Sequence, residues 1–257
     1  MARKKRQRAA RPARQREERA QDPRLVATQV AQDNAELGIK ASDWIVAVSP
    51  VRLPDGRILA YHPPQPVTFN LVEAKRHRDR GARQRRSIMG NLEVDRNGQY
   101  RPLNSHSVID CLSDLVGAVL HAFTAIESLA NHSIDQLDDD AAVEVERQGA
   151  TVMIHKDAMV RRLNITEKLQ LALPLLEDGH ATKGTAALER FVHLKRLRDD
   201  LVHVKERGYS TDPDEPSAYG KLMLGAADDC VEEAVALVRA ARPVFLPDWV
   251  LAALGAG

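Results

Sequence analysis

The feature that most constrains this chain is a long run of apolar side chains at helical spacing, beginning near Ser105. The apolar positions recur every three or four residues: Val108, Leu112, Leu115, Val119, Phe123, Ile126, Ala130 and Ile134. This spacing places them on one face of an α-helix, and such a face has to be buried by other elements. The helix would be about 40 Å long, and Ser105 or Ser107 can cap its first turn. The chain is therefore expected to fold as a bundle around this helix.

The rest of the C-terminal half predicts further helices and one short β-prone segment. Helices are expected to begin at Thr166 and Thr185, and a last long helix is expected over 226–242. The stretch "DQLDDDAAVEVERQG" is interpreted as an acidic linker, and "ATVMIHKDAMV" as a small β insertion. Aromatic residues make up only 4% of the chain, which suits a helical core rich in Ala, Leu and Val better than a β-sandwich.

The domain organisation is inferred from a change in composition near residue 104. The expected segments are a basic arm with a weak helix (24–38) over 1–42, a small β-containing extension over 43–104, the bundle over 105–245 and a tail over 246–257. Within the extension, "DWIVAVSPV" and "RILAYH" read as strands around the turn "LPDG". A hairpin is predicted to turn at Asn97-Gly98. The expected fold class is mainly α, an up-and-down helical bundle with this N-terminal extension.

The formal net charge of +1 hides two basic blocks, residues 3–19 and residues 75–86. Residues 1–20 contain nine Lys or Arg against two Glu and have little to bury, so this arm is expected to be disordered when free. Clustered cations gain free energy by releasing counterions from nucleic acid, so both blocks predict phosphate contacts, with a solubilising tail as the alternative. The predicted contacts are Arg3, Lys4, Lys5, Arg6, Lys75, Arg76, Arg78, Arg80, Arg83, Arg85 and Arg86. No aromatic residue interleaves them, so these blocks do not predict base stacking.

Several classes of protein are not expected from this sequence. Cys111 and Cys230 lie far apart on helix-like stretches and fit reduced thiols better than a disulfide framework. No apolar run approaches the roughly 20 residues of a membrane span, and the basic N-terminus lacks the apolar segment of a secretory signal. No HxH, CxxC, HExxH or P-loop pattern occurs, so neither a metal nor a cofactor is expected. These features favour a cytoplasmic protein.

The stretch "LKRLRDDLVHV", residues 194–204, is the candidate for chemistry. The apolar stripe of its helix is Phe191, Leu194, Leu197, Leu201 and Val204. Arg198 and His203 lie outside that stripe and are about 140° apart around an ideal helix. They can flank one groove only because an arginine side chain is long, or because the helix loosens towards Gly208.

The spacing Arg-x4-His is not specific by itself. It occurs three times, at Arg57 and His62, at Arg101 and His106, and at Arg198 and His203. The first copy lies in a strand-and-turn region, and the second has a Pro after its Arg, which is unfavourable in a helix interior. The third copy differs from both, because it is helical throughout and has the acidic Asp199 directly after the Arg.

In this context "LKRLRDDLVHV" resembles the signature of the HEPN superfamily, in which an Arg, a polar residue and a His lie on a late helix of a bundle. The stretch "AFTAIESLANHSI", residues 122–134, resembles the first long helix of bacterial HEPN proteins, with Glu127 and Asn131 as its polar pair. "TEKLQLALPLL" is similar to their middle helix. The resemblance covers roughly 105–243.

For active HEPN proteins the resemblance implies metal-independent endoribonuclease activity in a dimer whose two motifs meet in one cleft. A histidine titrates at about pH 6.5, so His203 can take the proton of the RNA 2′-OH or protonate the leaving 5′-oxygen. Arg198 can neutralise charge on the scissile phosphate, and Asp199 can orient either residue. Glu127 and Asn131 are expected to face the motif helix. The expected partners are RNA, a second copy of the chain, and an antitoxin if the protein is a toxin or defence effector.

Other interpretations remain open at this stage. Arg198 and His203 can be the polar edge of an ordinary helix, and Glu127 and Asn131 can simply hydrogen-bond to each other. The protein can be a non-catalytic HEPN module that binds RNA or a partner protein as a dimeric scaffold, or a structural interaction protein with a basic anchor. A HEPN toxin whose partner nucleotidyltransferase modifies a Tyr two residues after the His is disfavoured, because position 205 is Lys.

Overall fold

The structure is a computed structural model that describes residues 24, 27–29, 44–46, 48–203, 212 and 214–255. Within these residues the chain is mainly helical, with small two-stranded β-hairpins. It divides into two compact units, Met1–Gln65 and Pro66–Gly257. The predictions for Arg3, Lys4, Lys5 and Arg6 lie outside the described residues.

Each strand of the described residues pairs with its neighbour along the chain, and these pairs are antiparallel. The strands are β1 Ala27–Gln29, β2 Trp44–Val46, β3 Ser49–Arg52, β4 Ile58–Tyr61, β5 Leu92–Val94, β6 Tyr100–Pro102, β7 Ala142–Arg147 and β8 Ala150–His155. The helices are α1 Pro66–Met89, α2 Ser105–Asp135, α3 Lys156–Arg162, α4 Ile165–Glu167, α5 Ala186–Val202, α6 Ala218–Met223, α7 Cys230–Ala241 and α8 Asp248–Leu254. A π-helical segment, Lys168–Ala172, and a 3₁₀ turn, Leu173–Leu175, continue directly from α4.

The N-terminal unit contains the two hairpins β1–β2 and β3–β4. The predicted turn "LPDG" joins β3 to β4, and Gly56 has a φ of +82°, a conformation that favours glycine. The weak helix predicted over 24–38 is wrong at Ala27–Gln29, which pair with Trp44–Val46 as a strand. The helix propensity of this segment is small, and pairing with a second strand stabilises the extended conformation more.

The C-terminal unit is organised by the packing of α1 on α2. The sequence predicted α2 but not α1, whose few apolar positions are dispersed among basic residues. Val67, Leu71, Ala74 and Ile88 are buried in α1. A Cβ on Gly81 would lie 2.7 Å from Leu115 Cδ2 of α2, so a side chain at position 81 would force Leu115 to shift. Helix α1 therefore belongs to the bundle rather than to an N-terminal extension.

The predicted apolar face of α2 is the centre of the core. Leu115, Val119, Ile126 and Ala130 are fully buried, and α5 and α7 pack against the same helix. The N-cap is Asn104, whose side chain accepts the His106 N–H, so the prediction of Ser105 or Ser107 was wrong by one residue or more. Of the described helices, α2 is long and apolar enough to cross a membrane, although no such run was expected. Half of its apolar window is buried in the bundle.

The other helices agree with the sequence in position but differ at their ends. The predicted start at Thr185 is confirmed as the N-cap of α5. The helix predicted from Thr166 begins at Ile165 behind an Asn164–Glu167 capping box. The last long helix begins at Cys230 rather than at residue 226.

Two segments predicted to be irregular are regular. The acidic linker contains β7, whose Val143 and Val145 are buried in a second small core beside Ile154 of β8. The C-terminal tail contains α8, which buries Val250 and Leu254 against the main core. Both segments carry only a few apolar residues, too few to predict a strand or a helix from the sequence. Their burial depends on the surfaces that pack against them in the folded chain. The hairpin predicted at Asn97-Gly98 is confirmed as β5–β6.

Candidate functional site

The motif helix α5 ends between the two residues of its motif. Thr185 caps its start. Its buried face contains the predicted Phe191, Leu194, Leu197 and Leu201, together with Leu188, which was not predicted. The predicted Val204 lies outside the described residues. His203 is the C-cap, with φ −109° and ψ 58°, and its N–H still donates to the Asp199 carbonyl at 2.9 Å. The chain therefore leaves the helical path at His203, and the 140° separation of an ideal helix no longer applies.

The Arg198 side chain is held in place from two sides. Its guanidinium carbon lies 4.7 Å from the centre of the Phe123 ring of α2, and its Nη1 donates to Asp199 Oδ1 at 2.9 Å. A guanidinium over an aromatic face is typically stabilised by about 0.5–2 kcal/mol. The side chain remains 27% exposed, so a ligand anion can reach it. Phe123 also stacks on Phe191 of α5, which fixes α2 against α5 beside Arg198.

Asp199 is an anion that holds two cations. Lys195 Nζ donates to Asp199 Oδ2 at 2.5 Å, and Arg198 donates to the other oxygen. Partial burial would raise the pKa of Asp199, but the hydrogen bonds from Lys195 and Arg198 outweigh it, so the pKa is lower than usual. Asp199 is therefore ionised at neutral pH and suits a role in orienting Arg198 rather than in proton transfer.

His203 is exposed to solvent. Its ring forms no hydrogen bond with any residue in the described part of the chain. It lies directly after the last residue of the helix that carries Arg198.

Glu127 and Asn131 lie on the face of α2 that begins with Phe123, at successive intervals of four residues. Asn131 Oδ1 accepts a hydrogen bond from Lys168 Nζ at 2.8 Å. Lys168 is only 9% exposed and lies at the start of the π-helical segment. Burial lowers the pKa of Lys168, and the charge of Glu127 acts in the opposite direction. Asn131 thus contacts Lys168, whereas the sequence predicted that it would face the motif helix.

Lys168 is a buried cation that sequence reasoning missed. Nothing distinguishes one lysine in "TEKLQLALPLL" from an exposed lysine of an amphipathic helix. The π-helical turn that begins there, and the polar side chains of α2 that meet it, are visible only in the structure. Short π-helical segments frequently occur at functional sites.

The second basic block lies on α1, and most of its cations are in intramolecular ion pairs. The pairs are Lys75–Asp79, Arg76–Glu73, Arg78–Glu232, Arg80–Asp114 and Arg85–Asp228. Three of these pairs attach α1 to α2 or to the residues that begin α7. Arg83 and Arg86 are exposed, and neither has an ion-pair partner among the described residues.

A pair of stacked histidines lies between α1 and α2. The rings of His77 and His121 are 5.4 Å apart and inclined by 14°. His77 Nδ1 is 2.8 Å from Asp114 Oδ1, and His121 Nδ1 is 2.8 Å from Asn70 Oδ1. Burial, and secondarily the neighbouring His77, lowers the pKa of His121. The sequence gives no sign of this pair, because its members are 44 residues apart and carry no shared pattern.

The described residues contain no group of three or more His, Cys, Asp or Glu that could hold a metal ion. No protein-family model, no curated protein and no solved structure matches this chain. A proposal of function therefore depends on the residues themselves.

Proposed function

We propose that this protein is a metal-independent endoribonuclease of the HEPN type, acting as a dimer. The observation that supports it best is the arrangement at the end of α5. There, Arg198 is anchored between Phe123 and Asp199 but still reachable, and His203 is exposed where the helix ends. A fixed cation and an accessible imidazole, here five residues apart in the chain, are the minimum that RNA transesterification needs from a protein, because RNA carries its own nucleophile.

The reaction uses the 2′-OH of the nucleotide that precedes the cleaved bond. His203 accepts the 2′-OH proton while the 2′-oxygen bonds to phosphorus. The P–O5′ bond breaks, and a protonated imidazole, that of His203 in the second copy of a dimer, returns a proton to O5′. Arg198 offsets the negative charge that develops on the phosphate oxygens. The products are a 2′,3′-cyclic phosphate and a 5′-OH.

Asp199 and Phe123 act on Arg198 rather than on RNA. Asp199 stays ionised and donates no proton, so its contribution is to hold the guanidinium in one orientation. Phe123 supports the other side of the guanidinium. Pre-positioning a charge in this way strengthens its interaction with the transition state, because nothing has to reorganise during the reaction.

A second candidate is a non-catalytic HEPN module that binds RNA or a partner protein. It is favoured by a specific observation: the contacts of Arg198 with Phe123 and Asp199 are also those of a purely structural side chain. In that case His203 would be one exposed histidine among several.

The deciding experiment incubates the purified full-length chain with mixed RNA in EDTA and identifies the product ends. Wild type is expected to leave 2′,3′-cyclic phosphates. His203→Ala is expected to lose about 10²–10⁴ in rate while retaining RNA affinity. His193→Ala, at an exposed histidine of the same helix, is the matched control and should cleave as wild type does.

The arginine is tested with a second matched pair. Arg198→Ala should be inactive and folded, whereas Arg196→Ala, at an exposed arginine two residues earlier, should be active. Undiminished cleavage by His203→Ala would refute the nuclease. Folded wild-type protein that binds RNA without cutting it would favour the non-catalytic module.

A further inference from the structure

A cavity of about 200 Å³ lies between the C-terminal part of α1 and the first turns of α2. Its lining comes from α1 and Asn91 behind it, from the end of β6 and the loop that follows, and from α2, all within the C-terminal unit. The volume is below the roughly 300–1,000 Å³ of sites for drug-sized ligands. It suits one small ring system rather than a whole cofactor.

The polar side chains of the lining offer hydrogen-bond acceptors. Gln84 Oε1 is buried, and no described residue donates to it. Asp110 contributes an exposed carboxylate. Asn91 donates its amide N–H to the Ser87 carbonyl at 2.7 Å, so it has its own oxygen to offer. A buried acceptor without a donor is unfavourable, and the terminal torsion of a glutamine turns easily, so Gln84 can present its oxygen to a donor in the cavity.

The apolar part of the lining is small. It consists of the buried Ile88 of α1, Pro102 at the end of β6 and Leu103 directly after it. No aromatic side chain lines the cavity, so a base would be held by van der Waals contact and hydrogen bonds rather than by aromatic stacking.

Two cations lie next to this lining along α1. Arg83 precedes Gln84 and Arg86 precedes Ser87, so both project from the neighbouring face of the same helix, about 100° away. They are the two residues of the α1 basic block for which the described chain supplies no carboxylate. The first turn of α2 contains no acidic residue, so the partial positive charge of its N-terminus is not neutralised there.

We propose that this cavity binds one unpaired nucleobase that carries an exocyclic amine, and that Arg83 and Arg86 contact the phosphates beside it. The inference rests on the proposed function, since it states how the RNA substrate is recognised. Acceptors such as Asp110 and Gln84 select the amino groups of adenine, cytosine or guanine. Uracil has no amino group and offers only its single N3–H, so it cannot satisfy both acceptors at once.

The test measures binding of short oligo(A), oligo(C) and oligo(U) RNA to full-length His203→Ala protein, which keeps any substrate intact. Oligo(A) and oligo(C) are expected to bind more tightly than oligo(U) by a factor on the order of ten. Asp110→Ala and Gln84→Leu should each reduce this preference to less than about twofold by the same reasoning. Asp135→Ala, at an exposed aspartate at the other end of α2, is the control and should keep the preference.

The phosphate contacts are tested by the salt dependence of the same binding. Arg83→Ala and Arg86→Ala should each lower the log–log salt slope by about 0.7 without changing base preference. Arg76→Ala removes a cation already paired with Glu73 and should leave the slope unchanged. Circular dichroism of each variant verifies folding, and Asn91→Ala replaces Gln84→Leu if that variant unfolds.

Failure of this inference is distinguishable from failure of the nuclease. If the wild type cuts no RNA but shows a base preference that the cavity variants abolish, the nucleobase site is supported and the nuclease is refuted. Cleavage by wild type with equal affinity for all three oligomers would reject the cavity alone. Absence of RNA binding would also overturn the inference. Free arginine that occupies the cavity in place of a base would overturn it too, and would assign the cavity to a cationic group of a protein partner.

Discussion

Replacing Lys168 with methionine should stabilise the protein at neutral pH. Lys168 is 9% exposed and has one hydrogen-bond partner among the described residues, the neutral Asn131. Removing an ammonium group from water costs several kcal/mol, and a single neutral acceptor recovers only part of it. The lowered pKa shows which effect is larger, because the folded state disfavours the charged form. Methionine has a similar length and no charge, so we expect a gain of about 1–2 kcal/mol.

The opposite change tests the same reasoning. Asn131→Ala leaves the ammonium group buried without its partner and should destabilise the protein by about 1–3 kcal/mol. For a domain of this size each kcal/mol shifts Tm by about 2–4 °C. Urea unfolding followed by circular dichroism measures both variants.

The pH dependence provides an independent measurement. The folded-state pKa of Lys168 lies below the ordinary value of 10.5, so between these two values the unfolded state binds more protons. The stability contributed by this site therefore rises as the pH rises through that window, and Lys168→Met should remove that rise. A methionine variant that is less stable at pH 7, with an unchanged pH slope, would show that the ammonium group is well solvated and the reasoning wrong.

Three further predictions concern the core and its titratable groups. Gly81→Ala should destabilise by about 1–2 kcal/mol, because a contact of 2.7 Å with Leu115 outweighs the roughly 1 kcal/mol that alanine adds to helix propensity; a more stable variant in urea would show that Leu115 moves aside. The folded-state pKa of His121 is lowered from 6.5, so its contribution to stability should be lost as the pH falls below that value. His121→Gln should reduce this loss of stability at acid pH in unfolding curves. An unchanged loss would show that His121 does not cause it. Burial raises the pKa of Cys230 to about 12 and raises that of Cys111, so neither thiol should react with iodoacetamide before unfolding; rapid labelling of the native protein, read by mass spectrometry, would contradict this.

Among the helices, α2 and α5 were predictable because their evidence is local. Apolar residues every three or four positions define a buried face whatever surrounds it, and Thr185 satisfies backbone N–H groups within its own turn. Helix α1 lacked such a face. Its buried side chains are few, Gly81 interrupts them, and its arginines suggested a solvated block.

For the candidate site, the sequence alone provided the residues and their order: Arg198, Asp199 and His203 on one helix, ahead of a helix end. The HEPN resemblance and the nuclease remain predictions from that pattern. The anchor of Arg198 could not be read from the sequence, because Phe123 is 75 positions away and becomes its neighbour only when α2 packs on α5.

The tertiary structure alone decided which charged side chains remain available to a ligand. The sequence determined that α1 carries a dense set of cations, but five of its seven predicted contacts meet carboxylates, including one from Glu232, 154 residues from Arg78. The tertiary structure also buries Lys168 against Asn131, a contact that neither composition nor spacing indicated. The physical reason is that helical periodicity is a property of neighbouring residues. Ion pairing and desolvation, in contrast, depend on which distant surfaces meet, and those contacts exist only in the folded chain.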